Sequence, residues 1–196
     1  MEPHAVCYDP AQFAMSGVRD ANVRVGDFVV VVGLGAIGQI AIQLAKRAGA
    51  SVVIGVDPIA YRCDIARRHG ADFCLNPIGT DVGKEFIKTL TGKQGADVII
   101  ETSGYADALQ SALRGLAYGG TISYVAFAKP FAEGFNLGRE AHFNNAKIVF
   151  SRAVQRTEPG LSALEPQAYR RNLLGTADER LSQLRRFNRP GGDLCQ

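Results

Sequence analysis

The chain has 196 residues and a mass of 21.0 kDa, with 46% hydrophobic and 21% charged residues. This balance is typical of a folded globular chain of one domain with a short appendage, and it excludes a disordered chain. The 22 glycines follow no Gly-X-Y period and no apolar run reaches 18 residues, which excludes collagen and argues against a transmembrane helix.

Charge and cysteine placement indicate partners and compartment. The net charge of +3 arises after residue 150, where eight arginines face five acidic residues. So small a surplus favours a solvated basic helix, and we expect no nucleic-acid or membrane partner. The start, Met1 to His4, has neither the basic nor the apolar part of a secretory signal, and the four cysteines form no C-x-x-C pair. We therefore expect a cytoplasmic protein without a disulfide framework.

Predicted helices and strands alternate along the chain. The run Phe28–Val32 is β-branched without polar alternation, which is typical of a strand buried on both faces of a parallel sheet. In chain order the pattern predicts a helix at 11–22, a strand at 28–32, a helix from the glycine-rich loop to Ala48, a strand at 51–56, a helix at 60–69, a strand at 72–75, a helix near 81–91, a strand at 97–100, a helix at 105–114, a strand at 120–127, a looser segment at 129–145, a strand at 147–150 and a helix at 177–187.

This alternation predicts an α/β fold of the Rossmann type, a doubly wound parallel sheet of about six strands. We expect a short N-terminal remnant at 1–22, a dinucleotide-binding domain at 23–151 and a partly helical C-terminal tail at 152–196.

A glycine motif follows the first predicted strand. Gly33, Gly35 and Gly38 form Gly-x-Gly-x-x-Gly between a strand and a helix, and Asp57 ends the next strand 19 residues beyond Gly38. Gly33 would allow a tight turn, Gly35 would let a pyrophosphate approach the backbone, and Gly38 would let the helix pack closely. The N–H groups at the helix start would bind the phosphates.

Asp57 predicts the choice of cofactor. Its carboxylate would accept hydrogen bonds from the adenosine ribose and repel a 2′-phosphate, which favours NAD over NADP. Arg62 would pair with Asp57 or cover the adenine, and it would weaken the selectivity against NADP. A purely structural interpretation remains: the glycines make a turn and Asp57 caps the next helix.

Two further loops follow the fourth and fifth predicted strands, at the carboxyl edge where such sheets bind ligands. The first is Glu101-Thr102-Ser103-Gly104, and the second runs from Val125 to Phe127. For each of these residues, ordinary loop packing is the alternative.

Four strings in order, VRVGDFVVVVGLGAIGQIAIQLAKRAGA, VIGVDPIAYRCDIARRHGAD, GADVIIETSG and GGTISYVAF, resemble the cofactor-binding half of the medium-chain dehydrogenase/reductase superfamily, which includes the zinc-type alcohol dehydrogenases. The resemblance covers about residues 11–151. It implies NAD(H) binding and hydride transfer between nicotinamide and an alcohol or carbonyl. Carried over by motif, it implies binding residues Gly33, Leu34, Gly35, Ala36, Ile37, Gly38, Asp57, Arg62, Thr102, Ser103, Val125, Ala126 and Phe127.

The sequence departs from that family in its metal ligands. Family members have an additional N-terminal domain, in which a cysteine, a histidine followed by glutamate and a further acid or cysteine bind zinc. Here none of His4, His69 and His142 precedes a glutamate, and the three-residue spacing of His4 and Cys7 lacks further ligands. Zinc is therefore expected for the family, but no zinc site is expected in this chain, and no catalytic residue is assigned.

Three interpretations of function remain open: the NAD(H)-binding portion of an alcohol dehydrogenase-like enzyme that is incomplete alone, a stand-alone NAD(H)-binding module, and an inactive fragment. Zinc-type relatives pair through an edge strand, so the resemblance implies a homodimer edge near residues 146–151. We also expect Phe127, Phe131 and Phe135 to leave an exposed apolar patch.

Overall fold

A six-stranded, all-parallel sheet in the order β3-β2-β1-β4-β5-β6 organises the computed structural model, which describes residues 7–92, 94–127, 130–131 and 134–153. The side chains at 85 and 86 lie outside that description. The strands are β1 Phe28–Val32, β2 Val52–Val56, β3 Phe73–Leu75, β4 Ala96–Glu101, β5 Leu116–Tyr124 and β6 Lys147–Phe150. This order confirms the predicted Rossmann-type sheet.

One helix precedes the first strand, and the others lie in the crossovers between strands. They are α1 Tyr8–Asp20, α2 Ala36–Ala48, α3 Ala60–Arg68, a π-helix Val82–Ile87 continued by α4 Lys88–Leu90, α5 Ala106–Gly115 and α6 Glu140–Phe143. No helix of the described ranges has both the length and the apolar character needed to cross a membrane. Residues 1–6, most of the expected tail and the predicted helix at 177–187 lie outside the described residues.

The central position of β1 explains its unbroken apolar sequence. It pairs with β2 on one side and β4 on the other, and Val29, Val30 and Val31 are completely buried. Their side chains alternate between the two faces: Val29 and Val31 belong to one core cluster and Val30 to the other. Helices cover both faces, so neither face has polar positions.

Local signals predicted the bounds of several elements well. The bounds of β1 and β6 match the prediction, and α2 ends at Ala48, where Gly49 adopts φ +102° and caps the helix in the left-handed conformation. The predicted strand at 120–127 was misplaced, since β5 begins at Leu116 and ends at Tyr124. Beyond Tyr124 the N–H groups of the next two residues both turn back to one carbonyl, that of Glu101, and strand geometry stops.

The predicted helix near 81–91 begins as a π-helix. A Cβ at Gly83 would lie 1.8 Å from the carbonyl oxygen of Ser111, so the backbones of this segment and α5 are in direct contact. The N–H of Gly83 also donates to the Ser111 hydroxyl at 3.2 Å. Contacts with a distant part of the chain accompany this irregular geometry, and local periodicity carries no signal for them.

Candidate functional site

The glycine loop leaves β1 in a sharp turn at Gly33. This residue has φ +88°, and its N–H donates to the carbonyl of Val56 at 2.8 Å. A Cβ there would lie 2.9 Å from the backbone nitrogen of Ser103. Backbone conformation and lack of space both demand glycine, as the sequence predicts.

The start of α2 is open. Its N-cap is Gly35, no side chain caps the helix, and the first turn, which includes Ala36 and Ile37, contains no acidic residue. A Cβ at Gly35 would meet nothing within 4 Å. The first N–H groups of a helix have no partner within it and carry a partial positive charge, so this end can bind an anion.

Gly38 brings α2 close to the sheet. A Cβ at this position would lie 1.9 Å from the carbonyl oxygen of Gly33 and 3.2 Å from Thr102 Oγ1. The third glycine of the motif therefore has a packing role, and Gly35 borders open space. The sequence predicts a phosphate approach at Gly35 and close packing at Gly38, and the surroundings of the two glycines differ in that way.

Asp57 is buried and ties the loop to the next crossover. Its Oδ2 accepts from the N–H of Leu34 at 2.8 Å, and its Oδ1 accepts from the N–H of Ile59, the N-cap of α3, at 2.8 Å. Arg62 Nη1 also lies 3.3 Å from Oδ2. The carboxylate thus helps to start α3, as the structural interpretation holds, and one of its four lone-pair sites is still unassigned.

Thr102 links the end of β4 to the same loop. Its hydroxyl lies 3.0 Å from the carbonyl oxygen of Val32 and 2.7 Å from that of Gly33, and its N–H donates to Val32 at 2.8 Å. With one proton, the hydroxyl shares its donation between two carbonyls. Thr102 therefore holds the turn in place, and its oxygen can still accept.

Glu101 begins the first of the two loops that the sequence places at this edge, although the sequence assigned it no role of its own. Its carboxyl is completely buried and accepts from the N–H groups of Ser103 and Gly104 and from the Ser103 hydroxyl. Burial raises the pKa of Glu101, and these hydrogen bonds lower it in part. Burial, and then the charge of Glu101, raise the pKa of Tyr124, its partner in the β4–β5 register. An acid ending an apolar strand, in the string ADVIIE, was the available signal.

The loop after β5 completes the carboxyl edge. The N–H groups of Val125 and Ala126 both donate to the carbonyl of Glu101, at 2.9 and 3.2 Å. A Cβ at Gly104 would lie 3.0 Å from the carbonyl oxygen of Phe127. The loops after β1, β4 and β5 therefore lie side by side where the strand order reverses between β1 and β4, the position at which such sheets bind ligands.

The expected exposed phenylalanine patch is only partly present. Phe127 is completely exposed and Phe131 is 45% exposed. Phe135 is partly buried against the core, and its ring also stacks on Phe131 with centroids 4.4 Å apart. The prediction was therefore wrong for Phe135.

The described residues do not fit a zinc ion. Within them, no group of three or more histidine, cysteine, aspartate or glutamate side chains is arranged to hold a metal. Cys7, Cys63 and Cys74 are free thiols. Burial, and then the neighbouring Cys63, raise the pKa of Cys74 to about 12, so this thiol stays protonated at neutral pH and is a poor metal ligand. His4 lies outside the described residues.

Known proteins share much of this sequence. The zinc-binding dehydrogenase family model matches residues 36–164, about two thirds of the chain. The chain belongs to the zinc-binding dehydrogenase family. Over 156 residues it is 95% identical to D-guloside 3-dehydrogenase of Escherichia coli (strain K12), an alignment that covers 80% of this chain and 44% of that enzyme. An alcohol dehydrogenase of Cupriavidus necator is 40% identical over 118 residues, 60% of this chain and 32% of that enzyme.

Solved structures of this family share the fold. The 2R,3R-butanediol dehydrogenase of Bacillus subtilis has a TM-score of 0.69 at 26% identity, over 80% of this chain and 44% of that one. A Sinorhizobium meliloti 1021 protein assigned to the zinc-binding dehydrogenases, whose structure contains NADP, has a TM-score of 0.68 at 26% identity, over 76% and 44%. This chain spans less than half the length of these relatives, and its fold is that of their cofactor-binding half.

Proposed function

We propose that this chain binds NAD(H) and forms the cofactor-binding half of an oxidoreductase that moves hydride between nicotinamide and an alcohol or carbonyl. The observation that carries the proposal is the start of α2, where Gly35 leaves open space next to uncapped N–H groups. A diphosphate is the anion that this position and this family favour.

Each predicted residue has a role in the proposal. Gly33 shapes the turn, Gly35 admits the pyrophosphate, and the N–H groups at Ala36 and Ile37 bind it. Asp57 accepts from the adenosine ribose through its remaining lone pair, with Arg62 beside it. The other predicted contributors position these groups or line the edge: Leu34, Gly38, Thr102, Ser103, Val125, Ala126 and Phe127.

The bound nicotinamide supplies the chemistry, because its C4 position accepts or donates the hydride. The residues of this chain contribute binding and orientation. The loops after β4 and β5 border the place where the nicotinamide end would lie, and Glu101 keeps the first of these loops rigid through three hydrogen bonds. In this proposal, substrate activation is assigned to residues other than those that the structure describes.

The relatives suggest a substrate class. Identity of 95% to a D-guloside 3-dehydrogenase supports a sugar-derived alcohol as the substrate of the complete enzyme. Asp57 favours NAD over NADP, although a structural relative at 26% identity contains NADP. We further propose a cytoplasmic location and a homodimer that pairs along β6, near residues 146–151.

The decisive experiment titrates the 196-residue chain with NADH and with NADPH and measures binding by the fluorescence of the reduced nicotinamide. Asp57→Ala should weaken NADH binding about tenfold or more, because hydrogen bonds to a charged group are lost, and it should reduce the discrimination against NADPH. It should also lower the free energy of unfolding by about 1–3 kcal/mol, because the N–H of Leu34 loses its acceptor.

The matched control is Asp64→Ala. Asp64 also lies on the α3 side, but its side chain is exposed and pairs with Arg67. This variant should leave both affinities unchanged. An unchanged NADH/NADPH affinity ratio in Asp57→Ala would contradict the ribose assignment, and a folded chain that binds neither dinucleotide would contradict the proposed function.

A second candidate is a binding module without turnover. It needs only the open start of α2, which the described residues supply, and no metal ligands. Both candidates require NADH binding, but only the enzyme half should gain alcohol oxidation when the part of the relative that this chain does not span is supplied as a second polypeptide.

A further inference from the structure

Gln39 occupies a position between the glycine loop and α3 that the predicted cofactor motif does not include. It lies in the first turn of α2, and its Nε2 donates to the carbonyl oxygen of Leu34 at 3.2 Å and to that of Arg62 at 2.8 Å. Its Oε1 lies 3.2 Å from His69 Nδ1. One side chain therefore connects three parts of the crossover region.

The chemistry of the partners sets the orientation of this amide. Backbone carbonyl oxygens only accept hydrogen bonds, so the nitrogen of Gln39 has to face Leu34 and Arg62. Its oxygen then faces His69, whose Nδ1 has to carry a proton. All three contacts are satisfied in this orientation alone.

Together with Asp57, these contacts form a closed ring of hydrogen bonds that runs through Leu34, Gln39 and Arg62. Leu34 and Arg62 each donate to Asp57 Oδ2, at 2.8 and 3.3 Å, and each gives its carbonyl oxygen to Gln39. The guanidinium contact is long and its side chain is half exposed, so this contact alone holds Arg62 weakly. The Gln39 bond to the Arg62 carbonyl oxygen ties this point of α3 to the glycine loop, so it holds the base of that flexible side chain in place relative to Asp57.

We propose that Gln39 is a positioning residue that keeps Arg62 on Asp57 and thereby sets the preference for NADH over NADPH; this rests on the proposed function. While Arg62 is held on Asp57, its positive charge is paired with the carboxylate. Once released, the guanidinium is free to pair with a 2′-phosphate, which it binds well. Loss of the Gln39 amide should therefore relax the selectivity.

The test measures the dissociation constants of NADH and NADPH for the 196-residue chain and its variants. Gln39→Met keeps the length and helix propensity of the side chain but removes all three contacts. It should lower the ratio Kd(NADPH)/Kd(NADH) about threefold or more, the effect of losing one or two ordinary hydrogen bonds. Gln39→Ala should shift the ratio in the same direction, which keeps the test valid if one variant folds poorly.

Gln43→Met is the matched control. Gln43 lies one turn further along α2, and its Nε2 donates to the Gln39 carbonyl oxygen within the same helix. This variant should leave the ratio unchanged.

A second background tests the route through Arg62. With Arg62→Met already present, Gln39→Met should change the ratio by less than about twofold, because the group it releases is gone. A ratio that falls equally in both backgrounds would overturn the proposal. The proposal would also be overturned by a Gln39→Met protein of lower thermal stability whose affinities for NADH and NADPH fall by the same factor, because a purely structural role gives that result.

The same measurements separate this inference from the proposed function. If the unaltered chain binds neither dinucleotide, both are wrong. If it binds NADH and the ratio does not change in Gln39→Met, only this inference is wrong.

Discussion

Two carboxylates at the carboxyl edge of the sheet differ in what surrounds them. Asp57 meets two N–H groups and a guanidinium, while the buried Glu101 meets only neutral donors from Ser103 and Gly104. Neutral donors compensate a buried charge less than a cation does, and burial accordingly raises the pKa of Glu101. The structure therefore predicts a pH-dependent stability that originates at Glu101.

The sign follows from linkage. The pKa of Glu101 is higher in the folded chain than in the unfolded one, so its contribution to stability is fully present below the unfolded pKa of about 4.3 and is lost as pH rises through the folded pKa. Glu101→Gln removes the titration. The free energy of unfolding of the unaltered chain, minus that of the variant, should therefore decrease as pH rises through this range. Urea unfolding of both proteins from about pH 4 to about pH 8 measures it, and a constant or rising difference would contradict the assignment.

At the scale of elements, the turn from β1 into α2 combines two glycines with opposite surroundings. The space next to Gly35 is open, whereas Gly38 is in contact with the loop backbone. The same substitution at the two positions should therefore separate binding from folding.

Gly35→Ala should leave the fold almost unchanged, because its φ of −70° and ψ of −167° suit alanine. NADH binding should weaken about tenfold or more, since the new methyl group occupies the approach of the pyrophosphate. Gly38→Ala should instead lower the free energy of unfolding by about 1–3 kcal/mol, the cost of overpacking. Thermal unfolding and NADH titration of both variants measure the two effects. Comparable losses of stability in both variants would show that the open space at Gly35 has been misread.

At the scale of the whole molecule, β6 ends the sheet. It pairs with β5 on one side, and the described residues include no strand on its other side. Exposed strand edges can pair with another chain, which is the basis of the proposed homodimer. Exposed aromatic residues away from the edge are a competing cause of association.

Two phenylalanines separate these causes. Phe150 on β6 is 72% exposed and Phe143 on α6 is 73% exposed, so substitution by lysine adds the same charge at equal exposure. Phe150→Lys should shift a concentration-dependent dimer toward monomer in sedimentation velocity, and Phe143→Lys should not. If both variants shift the dimer toward monomer equally, the association is a general apolar one. An unaltered chain that stays monomeric at high concentration would contradict the dimer.

The sequence by itself determined the fold class and the position of the glycine motif, because both depend on local signals. A β-branched run, glycines at fixed spacing and an acid at the end of the next strand are properties of short segments. The bounds of β1 and the cap at Gly49 were predictable for the same reason.

Only the tertiary structure decided how the site is held together. The bond from the Leu34 N–H to Asp57, the donation of Thr102 to Gly33 and the contact of Gln39 with Arg62 join segments that folding brings together. The misplaced start of β5 and the π-helix near Gly83 have a similar origin, since each depends on contacts with a distant segment. Hydrogen bonds between distant residues produce no periodic pattern in the sequence. The glycine motif could therefore be found from the sequence, and the long-range hydrogen bonds that hold it in place could not.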